Sequence, residues 1–385
     1  MSETPDLVVS GGRLYREGAF HAGWFSVRGG RVTATGAGSP PRTAETLEAG
    51  SSAVVPGLVD LHVHGAGGAD ASTEDPADLS RMAKTLASLG TTSFLATLYP
   101  APAPLLDRRL STVRSHSATD GEARILGAHV EGPFVNPKRA GALDPSAIRR
   151  PTPDAVRSML RAGEGSLRLV TLAPEVPGGE RAVRAFAKEG VVVSIGHSDA
   201  TAEETAHAVD AGARKATHLF NAMRPIHHRE IGVAGRCLLE PSVSCEIIGD
   251  LRHVGLDAIA IALAAKGVEG IHLVSDGLLA TGTRKTSFAA GGHRHRVRDG
   301  ASWVAAGRLS GSCLPLLSGV RNLVREGLLS LADAVRLATA NPAEVLGLRG
   351  VVGDLVPGAH ADFLLLDERT AIRAVYVGGR RLRSR

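Results

Sequence analysis

Six residues of this chain are of the types that bind a metal or move a proton, and each lies at or near the end of a short apolar run. They are His62 and His64 in GLVDLHVH, Glu131 in ARILGAHVEG, His197 in VVVSIGHS, His218 in KATHLF and Asp276 in IHLVSDG. Imidazole nitrogen and carboxylate oxygen are the donors that suit zinc, iron(II) or manganese. His62 and His64 are two apart, so on a strand both rings point the same way. A single buried histidine is usually a hydrogen-bonded structural group. Six ligand-type residues at strand ends are different, because burying that many ionisable groups without a cation is costly. The expected chemistry is metal-dependent.

A scaffold must bring these ends together. Apolar, β-branched runs recur at 57–64, 91–98, 123–132, 167–175, 191–198, 215–220, 244–250 and 271–277. Stretches between them carry helical spacing, as at 75–90 and 199–212, with Asp75 and Asp199 where N-caps would help and Gly90 and Gly212 where helices stop. Strands alternating with helices predict a (β/α)8 barrel over residues 55–349, whose strands all present their carboxyl ends on one face. The chain ends have another texture. Residues 6–37, 353–367 and 372–382 read as short strands around glycine turns. Residues 1–54 and 350–385 are expected to pair into one small β-sandwich domain.

Other histidines fit this pattern less well. His293 and His295 repeat the two-residue spacing, but GGHRHRVRDG reads as an exposed hairpin. His207 falls in a helical stretch, where packing or solvent explains it. His129 precedes Glu131 by two and shares its face, either orienting a ligand or filling the barrel.

Composition narrows the classes. Hydrophobic residues are 43% and charged residues 22% of the 385, enough for a sizeable core. The apolar runs, such as 259–265, fall far short of the roughly 18–20 residues of a membrane span, so no membrane partner is expected. MSETPDLVVS lacks the basic start and apolar stretch of a secretory signal. Cys237, Cys245 and Cys313 are odd in number with no CxxC, which fits a reducing cytoplasm. The net charge of +5 raises the question of nucleic acid. The one basic cluster, GRRLRSR at 379–385, reads as a solvated tail, and aromatics at 3% leave few stacking platforms. A basic mouth attracting an anionic metabolite is the economical reading, without nucleic acid.

The motifs PGLVDLHVHG (56–65), HVEGPF (129–134), GHSDA (196–200), THLFNAM (217–223), SDG (275–277) and ATANPAEVLG (338–347) resemble those of N-acetylglucosamine-6-phosphate deacetylases of the amidohydrolase superfamily. GDLVPGAHADFLLLD (353–367) resembles the superfamily's small β domain, so the likeness covers nearly the whole chain. HVEGPF with THLFNAM is particular to the deacetylases, whereas HxH is shared more widely. The resemblance implies a cytoplasmic enzyme that removes acetate from N-acetylglucosamine 6-phosphate in amino-sugar catabolism or cell-wall recycling. It implies Glu131, His197 and His218 as principal ligands of a divalent metal, zinc or iron(II). His62 and His64 add capacity for a second ion, giving one or two per subunit. Asp276 corresponds to the acid and base that takes a proton from the attacking water and returns it to the departing amine.

The same resemblance implies substrate contacts at Ala142, Asn221, Ala222, Arg229 and His253, and along the turn Leu309, Ser310, Gly311 and Ser312. It also implies a homodimer with composite active sites, part of the phosphate grip coming from the adjacent subunit. One departure is Leu143, where family members often carry a histidine that touches the sugar. Two other readings compete. A cyclic amide hydrolase often bridges two metals with a modified lysine, but no lysine lies in the first five strands and Glu131 fills that role; a deaminase stays open. A catalytically dead sugar-phosphate sensor sits poorly with an intact ligand set.

Overall fold

The computed structural model describes residues 5–42 and 45–382. The first four residues of the N-terminal stretch and the last three of the basic tail lie outside the described residues. Eight parallel strands follow one another in chain order: Leu58–Val63, Thr91–Leu98, Arg124–Glu131, Leu167–Leu172, Val192–Ile195, Lys215–Ala216, Ser244–Ile248 and Ile271–Val274. The ring closes between the eighth and the first. There Asp276 N–H donates to His62 O at 2.9 Å, and His64 N–H donates to Gly277 O at 2.8 Å. With helices between the strands, this is the expected (β/α)8 barrel. Helices cover the outer face of these strands, which accounts for their near-continuous apolar character.

Local chemistry sets the helix ends. Pro76–Ser88 starts where the Asp75 side chain accepts from Ala77 N–H. The helix expected to begin at Asp199 runs instead over Ala202–Asp210, because Thr201 and Glu204 form a reciprocal capping box there. Asp199 is engaged elsewhere, 2.7 Å from the Arg139 guanidinium.

Several barrel strands stop short of their expected ends, three of them at unusual turns. The backbone turns into the left-handed region at His197 (φ 49°), His218 (φ 31°) and Asp276 (φ 46°). Such conformations cost an ordinary residue on the order of 1–3 kcal/mol and concentrate at functional sites. Hydrophobic pattern does not register them, since Ile195, Ala216 and Val274, two residues before each turn, are still apolar.

Between the eighth strand and the helix Leu316–Arg325 lies a four-stranded antiparallel sheet: Ser287–Ala290, His293–Arg298, Ala301–Val304 and Arg308–Ser312. The expected exposed hairpin is part of it, but His295 is not exposed. Strand alternation turns Arg294, Arg296 and Arg298 outward and His295 inward, where it is 4% exposed. At the other side of the molecule, strands from both chain ends share one sheet. Ala53–Pro56 pairs with Arg13–Arg16 and with Phe363–Leu366. That sheet packs through Leu14, Phe363 and Tyr376 onto Phe25 and Val27 of a second, four-stranded sheet. Cys237, Cys245 and Cys313 are free thiols. Among the described residues no helix is long and apolar enough to cross a membrane.

Candidate metal centre

The six residues singled out by type converge at the carboxyl ends of the barrel strands. They form two trios, His62 with His64 and Asp276, and Glu131 with His197 and His218. In the first, the two Nε2 atoms are 3.2 Å apart. Asp276 Oδ1 lies 3.4 Å from His62 Nε2 and 3.6 Å from His64 Nε2. In the second, Glu131 Oε1 is 3.1 Å from His197 Nε2 and 3.2 Å from His218 Nε2, and the two Nε2 atoms are 3.1 Å apart. Glu131 spans both trios, because its Oε2 is 3.2 Å from His64 Nε2.

Whether a cation fits is decided by the far side of each ring. His62 Nδ1 lies 2.6 Å from Glu246 Oε1, His64 Nδ1 3.1 Å from Thr97 O and His197 Nδ1 2.9 Å from Arg139 O. All three partners only accept, so each Nδ1 carries a proton, and a neutral ring then turns the lone pair of its Nε2 inward, where a metal could take it. Lone pairs from these nitrogens and from buried carboxylates pointing at one another repel unless a cation lies between them. Metal–ligand bonds of about 2.0–2.2 Å place neighbouring ligand atoms roughly 3.0–3.6 Å apart, which matches the observed spacings. The donor set fits a divalent transition metal.

Several supports were not legible in the sequence. Glu246, on the seventh strand, backs His62. Tyr99 stacks on His64 with ring centroids 4.0 Å apart. His295 lines the cavity over the centre, its Nδ1 2.9 Å from Ser302 Oγ and 3.0 Å from Ser310 Oγ. A polar residue inside an apolar run was the available signal for Glu246; a strand-end position was the signal for Tyr99. His129 stands beside the ligand rings. It packs edge-on to His62 at 4.7 Å and lies 2.8 Å from Thr171 Oγ1, outside the ligand trios.

The cavity places the remaining candidates. Ala142, Asn221, Ala222 and His253 line it, together with Leu309, Ser310 and Gly311. Leu143 also lines it and is buried, so that wall is apolar. The loop carrying Ala142 runs close to the centre: a Cβ on Gly141 (φ 59°) would lie 3.3 Å from His197 Cε1. Ser312 lies behind the cavity, its N–H donating to Asp276 O at 2.9 Å, so it braces the backbone of Asp276. Arg229 stands apart on an exposed loop, with Nη1 2.7 Å from His228 Nε2, and does not line the cavity of its own chain. His253 is held by Asp250, Nδ1 to Oδ2 at 2.8 Å. Burial disfavours its charged form, but the Asp250 carboxylate outweighs burial and raises its pKa above the ordinary histidine value. Lys215, the one lysine in a barrel strand, pairs with Glu246 below the centre and reaches no ligand trio, so no lysine bridges the two halves.

Known proteins share this architecture. Residues 53–382 match the model of the amidohydrolase family. An N-acetylglucosamine-6-phosphate deacetylase from Lysinibacillus sphaericus is 35% identical over 337 residues, 87% of each chain. An N-acetylgalactosamine-6-phosphate deacetylase from Escherichia coli O157:H7 is 32% identical, over 88% of this chain and 90% of its own. Among solved structures, a mutant N-acetyl-D-glucosamine-6-phosphate deacetylase from Mycobacterium smegmatis, in complex with N-acetyl-D-glucosamine-6-phosphate, superposes with a TM-score of 0.92. It is 33% identical and covers 98% of this chain and 99% of that one.

Proposed function

The chain belongs to the amidohydrolase family, among its N-acetylglucosamine-6-phosphate deacetylases, and from that premise we propose how its residues divide the work of hydrolysing the acetamide of N-acetyl-D-glucosamine 6-phosphate to D-glucosamine 6-phosphate and acetate. The observation that carries the reading is the placement of Asp276 Oδ1, 3.4 Å and 3.6 Å from the inward nitrogens of His62 and His64, at the edge of a cavity with space for a sugar.

Glu131, His197 and His218 would hold one divalent ion, zinc or iron(II). His62 and His64 would hold a second, with Glu131 between them. A bound ion supplies Lewis acidity, drawing charge from a carbonyl oxygen and making a water a better nucleophile at neutral pH. Asp276 accepts the proton of the attacking water and passes it to the amide nitrogen, so that the amine leaves neutral. The left-handed turn at Asp276, braced by Ser312 N–H, aims the carboxylate at the cavity.

His253 and Arg229 hold the 6-phosphate in this reading, Arg229 from the neighbouring subunit of a homodimer. Its exposed position supports that assignment, as do Ile226 beside it, 47% exposed, and Leu239 and Ile261 on adjoining helices, 62% and 61% exposed. Asn221, Ala222, Ala142 and the turn 309–312 frame the sugar. A cytoplasmic setting is supported by the free thiols. The division into a barrel of residues 55–349 and a small domain of 1–54 with 350–385 belongs to the same proposal. The apolar wall at Leu143 makes the sugar's stereochemistry the point to test. Acetate release from a panel of phosphorylated and unphosphorylated N-acetyl sugars, with metal analysis of the same sample, tests the whole. Equal rates with and without the phosphate, or full activity in metal-free protein, would refute it.

A further inference from the structure

One buried ion pair has no part in the chemistry above. Lys215 opens the sixth barrel strand and Glu246 lies on the seventh; both are 0% exposed, and the Lys215 ammonium is hydrogen-bonded to Glu246 Oε2. Taking two such charges out of water costs several kcal/mol per ion, and well-packed apolar residues often serve stability as well. Stability alone therefore does not account for the pair.

The other oxygen of Glu246 does. Oε1 accepts from His62 Nδ1 at 2.6 Å and from the backbone N–H of His218 at 2.8 Å. His62 belongs to one ligand trio and His218 to the other. His218 sits at φ 31°, a conformation that needs outside support, and a charge-assisted bond to its N–H supplies it. The contrast with the other rings is specific: His64 and His197 lean on backbone carbonyls, and His218 Nδ1 has no partner among the described residues. Only His62 leans on a carboxylate, the arrangement that fixes an imidazole's orientation and raises the basicity of its inward nitrogen.

We propose that Glu246, clamped by Lys215, is a positioning residue that couples the two halves of the metal centre, setting the orientation of His62 and the backbone turn at His218 together. The inference rests on the metal reading given above. Its test uses the full-length protein and cobalt(II), whose visible spectrum reports ligand geometry. The paired variant Lys215→Met with Glu246→Gln leaves no orphaned charge. Metal-free, it is expected to melt close to the wild type, while cobalt binds about 10–100-fold more weakly and with an altered spectrum. A folded pair variant with wild-type affinity and spectrum overturns the proposal. Failure of the wild type itself to bind cobalt overturns the metal reading instead. A second measurement does not depend on the pair variant folding. In metal-free wild type, the His62 Nδ1 proton shared with a carboxylate is expected as a far-downfield proton resonance, lost in His62→Asn and kept in His64→Asn. Its absence from the wild type overturns the proposal equally.

Discussion

Tyr99 lies flat on His64, with ring centroids 4.0 Å apart and planes within 5° of parallel. The stack holds one candidate ligand from the side while Thr97 O holds its Nδ1. The Tyr99 hydroxyl has no protein partner among the described residues, so the contribution lies in the ring. Tyr99→Phe should therefore keep turnover and thermal midpoint close to wild type. Tyr99→Ala removes an aromatic contact of about 0.5–1.5 kcal/mol together with the surface it covers, and should shed metal from the His62/His64 half first. Ions retained per chain after dialysis against a chelator, measured for both variants, decide it. A Phe variant as deficient as the Ala variant assigns the role to the hydroxyl.

Asp276→Asn keeps the size of the side chain and removes its ability to take a proton. Turnover is expected to fall by about 10²–10⁴-fold, the usual cost of losing a general acid–base. Affinity for the substrate and the melting curve should change little, because the backbone bonds of Asp276 to His62 and Ser312 do not involve the carboxylate. Single-turnover kinetics beside equilibrium binding separate the two. A variant retaining more than about a tenth of wild-type turnover means that another group moves the proton.

The barrel and its ligand set were legible because both rest on short-range pattern: apolar runs of strand length, five of them with histidines or a carboxylate of the ligand set at or near the end. The strand limits agree at 91–98, but the strands that carry His197, His218 and Asp276 end early. Where reading stopped was at contacts between residues distant in sequence. Glu246 lies 184 positions from His62, and nothing local ties them. His295 was misplaced because its neighbours are arginines; alternation then hides one inward residue in an outwardly basic strand. Asp199 looked like a helix cap because Asp in that place usually is one, but Thr201 competes two positions on with a complete capping box. The first is a tertiary effect, whereas the other two are local, a strand's alternation and a stronger neighbouring cap.

Arg229 provides the test of assembly. Its guanidinium is outside the cavity of its own chain, yet arginine's planar fork is the group best suited to a phosphate dianion. If it serves a neighbour, Arg229→Ala should raise KM for the phosphorylated sugar and hardly alter the feeble rate on N-acetylglucosamine. Mixing inactive Asp276→Asn chains with Arg229→Ala chains, and allowing subunits to exchange, should then restore part of the activity. Equal loss on both sugars removes the phosphate role, and full activity in a protein that sediments as a monomer removes the shared site.

The last expectation concerns pH and follows from the Asp250–His253 pair. The carboxylate raises the His253 pKa above its ordinary value despite burial. Gly311 N–H, 3.3 Å from Nε2, suits only the neutral ring, but it is the longer and uncharged contact. A raised pKa keeps the ring cationic to higher pH, so phosphate capture is present below that pKa and lost as pH rises through it. The substrate sets the other limit, since a phosphate monoester loses its second charge below a pH of about 6. KM should therefore be lowest between these two points and climb on the alkaline side. Asp250→Asn withdraws the support and lets the His253 pKa fall back, so the alkaline climb should begin at lower pH while the acid limb, which belongs to the substrate, stays where it was. The stability of the fold follows the same sign. The pair contributes above the range in which Asp250, whose own pKa is lowered by His253 against burial, picks up a proton, and the contribution is lost as pH rises through the His253 pKa. Profiles of KM against pH for wild type and Asp250→Asn, on the phosphorylated sugar and on N-acetylglucosamine, make the comparison. An alkaline limb that does not move, or that moves equally for the sugar without phosphate, means that His253 does not hold the phosphate.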